Sequence, residues 1–476
     1  MILRKLLSKV ASRIGFIGRG NFFFPYERAT MPGFNQRFAP RNTDAVVDGG
    51  VSKKGVPALA HRRLLDEVTM AGGCSHPIRL KGDFVNSATG EVNQRNLLVS
   101  CKDRRVVVCP SCSYLYKADA WIVVSTGLIG GKGVPESVGT HPRLFVTLTA
   151  PSFGAVHTQR TDGSCHPRPT TTCAHDQAMT CLANHDVESP IVGSPLCAKC
   201  FDYRGAILWN AESSRLWNRT FEQVRRRVAI SQGLQLEELH HHARISYLKV
   251  VEFQRRGLVH FHAILRADGP GDPYSSPPSF LTPTLLTDVV TDVVSGFAIT
   301  GTNAELLSWG RQFRINDASV LLRDDLRIAA YLAKYAVKTT DGSIDLAHRF
   351  RRRSDIRSLE IASHRKTLAL TTWDLALEPE FFTLQLRLHA HTFGYRGQLI
   401  TKSRYFSTRF QDLRDARATY MGSTESDDPV AGTFHYEGRG YDDARATQLA
   451  EILHQMTLEV RSVTRSMNTD SAGGLK

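Results

Sequence analysis

The chain has 476 residues, 42% of them hydrophobic and 22% charged, with a formal net charge of +14. That composition excludes wholesale disorder and leaves room for two or three domains. No run of about 18 apolar residues offers a membrane span, and the cationic excess points to a polyanionic partner, nucleic acid first.

Residues 1–73 mix basic clusters with Gly and Pro and read as a basic N-terminal arm. The first twenty are amphipathic but lack the uninterrupted apolar stretch of a secretory signal, so a soluble, cytoplasmic protein is expected. Residues 74–140 form a cysteine-rich module that runs into a helix at YLYKADAWIVV. RLFVTLTAP (143–151) is β-branched and apolar, bounded by Pro142 and Pro151, and reads as a buried strand. A Cys/His/Pro-rich insertion fills 160–203. Residues 204–230 have apolar positions at helical spacing and carry Arg225, Arg226 and Arg227 on a cationic flank. ARISYLKVVEFQ and LVHFHAIL, joined by Arg255-Arg256-Gly257, read as a β-hairpin. Residues 268–283 are loop, Pro283 starts a helix, and another helix covers roughly 319–338. Residues 341–421 form a basic DNA-binding extension in which Arg351, Arg352 and Arg353 supply phosphate-binding charge, and Lys402 and Arg404 interleave with Tyr395 and Tyr405, the pattern of a single-strand groove. Residues 422–445 read as a flexible acidic–Gly stretch, and the last thirty as one helix with a loose tail. The expected fold is α+β: an antiparallel sheet within 141–340, zinc-bound loops before and inside it, and a mostly helical C-terminal region.

All nine cysteines lie between Cys74 and Cys200. Without an export signal, disulfides are not expected and clustered thiols mean metal. Cys109-Pro-Ser-Cys112 and Cys197-Ala-Lys-Cys200 are CxxC knuckles, each bringing two thiolates round one Zn²⁺. The two knuckles could share one site. The more economical arrangement gives each its own pair: Cys74 and Cys101 with Cys109 and Cys112, and Cys165 and Cys181 with Cys197 and Cys200. Cys173 is then left over, and His175 and His185 are possible substitutes. Such zinc stiffens loop-rich sequence.

On a strand, His260 and His262 share a face. If Gln254 closes the hairpin opposite Leu258, Glu252 lies directly opposite His260, where paired Cβ atoms are about 5 Å apart. Two imidazoles and a carboxylate suit Mg²⁺ or Mn²⁺ beside a phosphate, and Zn²⁺ is also compatible. Gln254, on the same face, competes with Glu252 for the third position. In AAYLAKYAVK, Tyr331 and Tyr335 are four apart on one helical face, with Lys338 about a turn beyond Tyr335. Lys334 and Lys338 supply cations for a phosphate backbone.

With these residues in place, the sequence resembles rolling-circle replication initiators of the HUH endonuclease superfamily, most closely the RepSA-like initiators of actinomycete plasmids and integrative elements. FVTLTAP (145–151), VEFQRRGLVHFHAIL (251–265) and YLAKYAVK (331–338) are similar to that family's three motifs, in its order, and the resemblance covers roughly residues 70–410. It implies an HUH nicking domain at 141–340 with Mg²⁺ or Mn²⁺ on His260, His262 and a third ligand. Tyr335 then attacks the scissile phosphate and keeps a 5′-phosphotyrosine, and Tyr331 is the second nucleophile. The implied partners are single-stranded origin DNA and the host helicase and polymerase, with no membrane. The rival readings are a transposase or conjugative relaxase using the same chemistry, or a non-catalytic zinc-stabilised DNA-binding regulator.

Overall fold

The computed structural model describes residues 56–472, apart from 87–89, 91, 161–162, 168–171, 187, 319–321, 339–345 and 421–429. Most of the expected N-terminal arm and the acidic residues 421–429 therefore lie outside the described residues. The chain divides into two compact units, one of residues 1–102 with 415–476 and one of residues 103–414.

The first unit holds α1 (Val56–Met70), β1 (Ile78–Asn86) and β2 (Val92–Val99) from the N-terminal side. From the far end of the chain come β10 (Val430–Arg439) and α9 (Ala444–Ala472). The strands form one antiparallel sheet in the order β10-β1-β2, with Leu80 opposite Tyr436 and Leu97. Tyr441 Oη donates to the Cys74 carbonyl at 2.7 Å, fixing the end of β10 beside the start of β1. One expectation is corrected here. The stretch 422–445 contains a ten-residue strand, on which Phe434 and Tyr436 are exposed. It is held by ladder hydrogen bonds to a segment some 350 positions away. The chain changes unit after Lys102, within the expected cysteine-rich module 74–140.

In the second unit the elements are α2 (Pro110–Ile129), β3 (Arg143–Thr149), α3 (Tyr203–Ser231), β4 (Arg244–Phe253), β5 (Val259–Asp268), α4 (Pro283–Gly296), the small hairpin β6 (Ala298–Thr300) and β7 (Leu306–Ser308), β8 (Arg314–Asp317), α5 (Leu322–Ala336), α6 (Arg353–Arg357), α7 (Ser363–Leu375) and β9 (Ile400–Lys402). A further helix, α8 (Phe410–Tyr420), contains the division between units. Five strands make an antiparallel sheet in the order β8-β3-β5-β4-β9. Period-two alternation gives it two apolar faces. Val146, Val251, Phe261 and Ala263 pack with Trp209 and Trp217 of α3. Leu248, Val250 and Ile264 pack with Val123, Val124 and Leu128 of α2 and Ala329 and Leu332 of α5. The basic extension 341–421 is not a separate domain: Phe381, Leu384, Phe393 and Tyr395 are in the same core as α3.

The β4–β5 turn is set by Gly257, whose φ of +80° is left-handed and whose absent Cβ would meet Leu368 Cδ1 at 2.2 Å. Asn210, fully buried on α3, clamps the hairpin: its Nδ2 donates to the Gly257 and Phe393 carbonyls at 2.9 and 3.0 Å, and its Oδ1 accepts from Val259 N at 3.0 Å. Asn210→Ala would strand three buried backbone groups at about 1 kcal/mol or more each. A stability loss of about 3 kcal/mol is expected in urea unfolding followed by tryptophan fluorescence; a loss below about 1 kcal/mol would show that water replaces the clamp.

Candidate active site

The hairpin register puts Glu252 opposite His260 and Val250 opposite His262, and β3 places Thr149 and Thr147 on the other side of the same two histidines. Strand twist then brings the diagonal neighbours together. His262 Nε2 lies 3.4 Å from Glu252 Oε2, while Gln254 Nε2 reaches His260 Nδ1 at 3.4 Å. His262 Nδ1 lies 3.3 Å from Thr147 Oγ1. Assigning the ring proton to Nδ1 leaves the Nε2 lone pair aimed at the carboxylate. Burial, then His262 and then Arg256, push the His260 imidazole down to about 3, so it stays neutral at any ordinary pH.

Helix α5 lies across this face. Its position is set from below by Arg143 of β3, whose guanidinium is buried and donates to Asp325 Oδ2 at 2.7 Å and to the Gly139 carbonyl at 2.8 Å. Arg104 holds the far end, donating to the Lys338 carbonyl at 2.7 Å. Between these anchors the Tyr331 hydroxyl stands 3.3 Å from His262 Nε2, with its side chain 40% exposed. The Tyr335 ring stacks on His262 with centroids 5.5 Å apart and meets the Tyr331 ring edge-on at 4.7 Å. Lys338 Nζ sits 4.7 Å over the Tyr335 ring and 3.7 Å from Glu252 Oε1. Burial, a hydrogen bond with Tyr331 and the Glu252 charge push the Tyr335 phenol above its usual range. In front of Tyr331 opens a cavity of about 460 Å³ lined by Phe145, Asn316, Asp325 and Arg327.

The donor set fits a divalent cation. His262 Nε2 has the Glu252 carboxylate at 3.4 Å and the Tyr331 hydroxyl at 3.3 Å, groups of the kind that could hold a cation together with the imidazole, although the phenol can equally donate to Nε2. His260 leans toward Gln254 instead, so the two candidates for the third position serve different histidines. Thr147, Arg143 and Arg104 escaped the sequence reading. Thr147 and Thr149 carried a local signal, as polar residues within the apolar run of β3 on the histidine face.

The basic clusters fare differently. Helix α3 covers the opposite face of the sheet, so Arg225, Arg226 and Arg227 lie behind it. There Arg226 pairs with Glu222, Arg227 with Asp292, and Arg225 covers the Phe221 ring. Arg353 is bidentate to Asp374 at 2.7 Å, and the Arg351 and Arg352 amides cap Asp355. Lys402 Nζ donates to the Ser407 carbonyl at 2.7 Å, and burial pushes it down to about 8. Arg404 lies over the Tyr405 ring. Lys334 is exposed on α5.

Cys101 N donates to Cys74 Sγ at 3.3 Å in the first unit, and Cys109 and Cys112 are buried at the start of α2 in the second. The cysteines of the insertion are distributed otherwise than expected. The group of Cys165 and Cys181 with Cys197 and Cys200 does not form, nor do the two knuckles join. In their place His157, Cys165, Cys181 and His185 have ligand atoms within 4.8 Å of one another, and so do Cys173, His175, Cys197 and Cys200. Cys173 is thus not left over. The fold of the insertion sets His157 and His185 beside Cys165 and Cys181, and Cys173 and His175 beside Cys197 and Cys200.

Among the described residues, no helix is long and apolar enough to cross a membrane. A family model described as replication initiator protein, pSAM2 (RepSA) matches residues 60–455. A protein of Streptomyces ambofaciens named replication initiator protein is 32% identical over 435 residues, covering 84% of this chain and 91% of its own length. No solved structure matches the chain.

Proposed function

Because the chain belongs to the RepSA family of replication initiator proteins, we propose that it starts rolling-circle replication of a plasmid or integrative element by nicking one strand of its origin through a tyrosine ester. The observation that carries this reading is the meeting of Tyr331, Tyr335, Lys338, Glu252 and His262 on one face of the sheet.

His262 and Glu252, with His260, would hold Mg²⁺ or Mn²⁺, which when bound supplies Lewis-acid polarisation of the scissile phosphate. Thr147 fixes the His262 ring so that Nε2 faces the reacting oxygens. Tyr335 is the first nucleophile: its Oη forms the bond to phosphorus as the bond to the 3′-oxygen breaks. The phenol loses its proton, and the departing 3′-oxygen gains one. Lys338, over the ring, offsets the phenolate charge that burial and Glu252 oppose. Tyr331 is the second nucleophile, which ends a round by strand transfer. The cavity beside Tyr331 and Phe145 takes a base next to the cleaved phosphate.

The test is a covalent adduct between the full chain and labelled single-stranded origin DNA in Mn²⁺. Wild type should form the adduct, and both chelation and a His260→Ala/His262→Ala variant should abolish it. A wild-type chain that binds the origin but never becomes attached to it would leave the non-catalytic regulator as the reading.

A further inference from the structure

We infer that the insertion from His157 to Cys200 is a cross-braced two-zinc module that buttresses the turn of the histidine hairpin. Its ligands alternate along the chain in pairs. His157 and Cys165 belong to the first site, Cys173 and His175 to the second, Cys181 and His185 to the first again, and Cys197 and Cys200 to the second. Closing the first site loops out Cys173 and His175, and closing the second spans Cys181 and His185, so the two sites interleave.

The spacings between ligand atoms are those of a tetrahedron around zinc. With Zn–S about 2.3 Å and Zn–N about 2.0–2.1 Å, tetrahedral edges come to about 3.3 Å for two nitrogens and about 3.6 Å for nitrogen and sulfur. In the first site His157 Nδ1 and His185 Nε2 are 3.3 Å apart, Cys181 Sγ and His185 Nε2 are 3.3 Å apart, and Cys165 Sγ and His157 Nδ1 are 3.8 Å apart. In the second site His175 Nδ1 is 3.3 Å from Cys200 Sγ and 3.8 Å from Cys197 Sγ. The Thr158 amide donates to Cys165 Sγ at 3.1 Å, a bond that stabilises a thiolate.

Among its described residues the segment buries little apolar surface: Leu182 and Ile191 are 72% and 40% exposed, and Val192 and Leu196 are only half-buried. Regular structure is reduced to isolated bridges, His166 with Cys181 and Thr172 with Ala178. A segment of this length without an apolar core folds on its metals.

The module then bears on the hairpin. Arg255 Nη1 donates to the Ser189 carbonyl at 3.1 Å, and Gly193 (φ +90°) approaches so closely that a Cβ there would meet the Arg255 carbonyl carbon at 2.4 Å. The next residue, Arg256, donates to the Ala150 and Pro151 carbonyls at 2.9 and 3.0 Å, where the chain leaves the sheet for the insertion. Its Nε donates to Gln254 Oε1 at 2.8 Å, and Gln254 is the partner of His260.

The zinc assignment is independent of the nicking reading, and its test needs no activity. Zinc bound by the purified full chain should fall by one equivalent in His157→Ala/Cys165→Ser, by one in Cys173→Ser/His175→Ala, and by two when all four changes are combined. His166→Ala should lose none, although His166 Nδ1 lies 3.0 Å from Cys165 Sγ. Replacing zinc by Co²⁺ should give a stronger thiolate charge-transfer band from the second site, with three sulfurs, than from the first, with two. Should a variant fail to fold, alkylation of wild type mapped by mass spectrometry decides: zinc should protect Cys173 together with Cys165, Cys181, Cys197 and Cys200. Rapid alkylation of Cys173 alone in the zinc-loaded chain, or an unchanged zinc content in Cys173→Ser/His175→Ala, overturns the proposal.

Discussion

Tyr335→Phe should remove the covalent DNA adduct altogether, with the nicking rate falling by at least about three orders of magnitude. The ring remains to stack on His262 under Lys338, so stability and DNA affinity should stay close to wild type. Tyr331→Phe should nick and form the adduct at a rate within about tenfold of wild type, but accumulate linear product because the closing strand transfer is lost. The measurement is single-turnover cleavage of labelled origin DNA, with protein-bound and rejoined strands resolved on one denaturing gel. The two hydroxyls differ in a way that makes the comparison sharp. Tyr331 stands at the His262 nitrogen and is the more exposed, whereas Tyr335 is the phenol whose proton burial retains. An adduct that persists in Tyr335→Phe and disappears in Tyr331→Phe would exchange their roles. An adduct that survives both changes would remove tyrosine from the chemistry.

The second large effect is expected under α5. Arg143 and Asp325 are each about 1% exposed and joined at 2.7 Å. Arg143 also donates to the Leu128, Gly139 and Ala318 carbonyls at 3.1, 2.8 and 2.8 Å. Removing one member of a buried pair costs about 3–5 kcal/mol, because the other charge stays behind without its counter-ion. Arg143→Ala should fall at or beyond the top of that range, since three carbonyls lose a donor as well. Asp325→Ala should cost less, because the guanidinium keeps those carbonyls. Urea unfolding of both variants checks the order. Equal costs would mean that the ion pair, and not the carbonyl cluster, carries the joint. Either loss also frees the helix that presents both tyrosines, so the nicking rate should fall well beyond the fraction of chain unfolded.

Local periodicity carried a large part of the site. Alternation along LVHFHAIL and a turn closed by Gln254 and Leu258 were enough to pair Glu252 with His260, because a strand's side chains repeat every two residues and the turn sets the register. The i,i+4 spacing likewise placed both tyrosines on one helical face. What folding alone decided is everything that joins distant segments. The strand at Val430–Arg439 carries only a short alternation of Phe434 and Tyr436 with polar residues, which does not name β1 as its partner. The cysteines announce metal by composition, yet which thiol joins which imidazole depends on how the insertion crosses itself. Arginines that look alike in sequence end behind the sheet, in ion pairs, or beneath the tyrosine helix, since charge names no partner until packing brings one within reach. Periodicity is a property of neighbours along the chain and can be read there. Partner choice between remote segments is a property of the packed whole, fixed by which buried polar groups must be satisfied together.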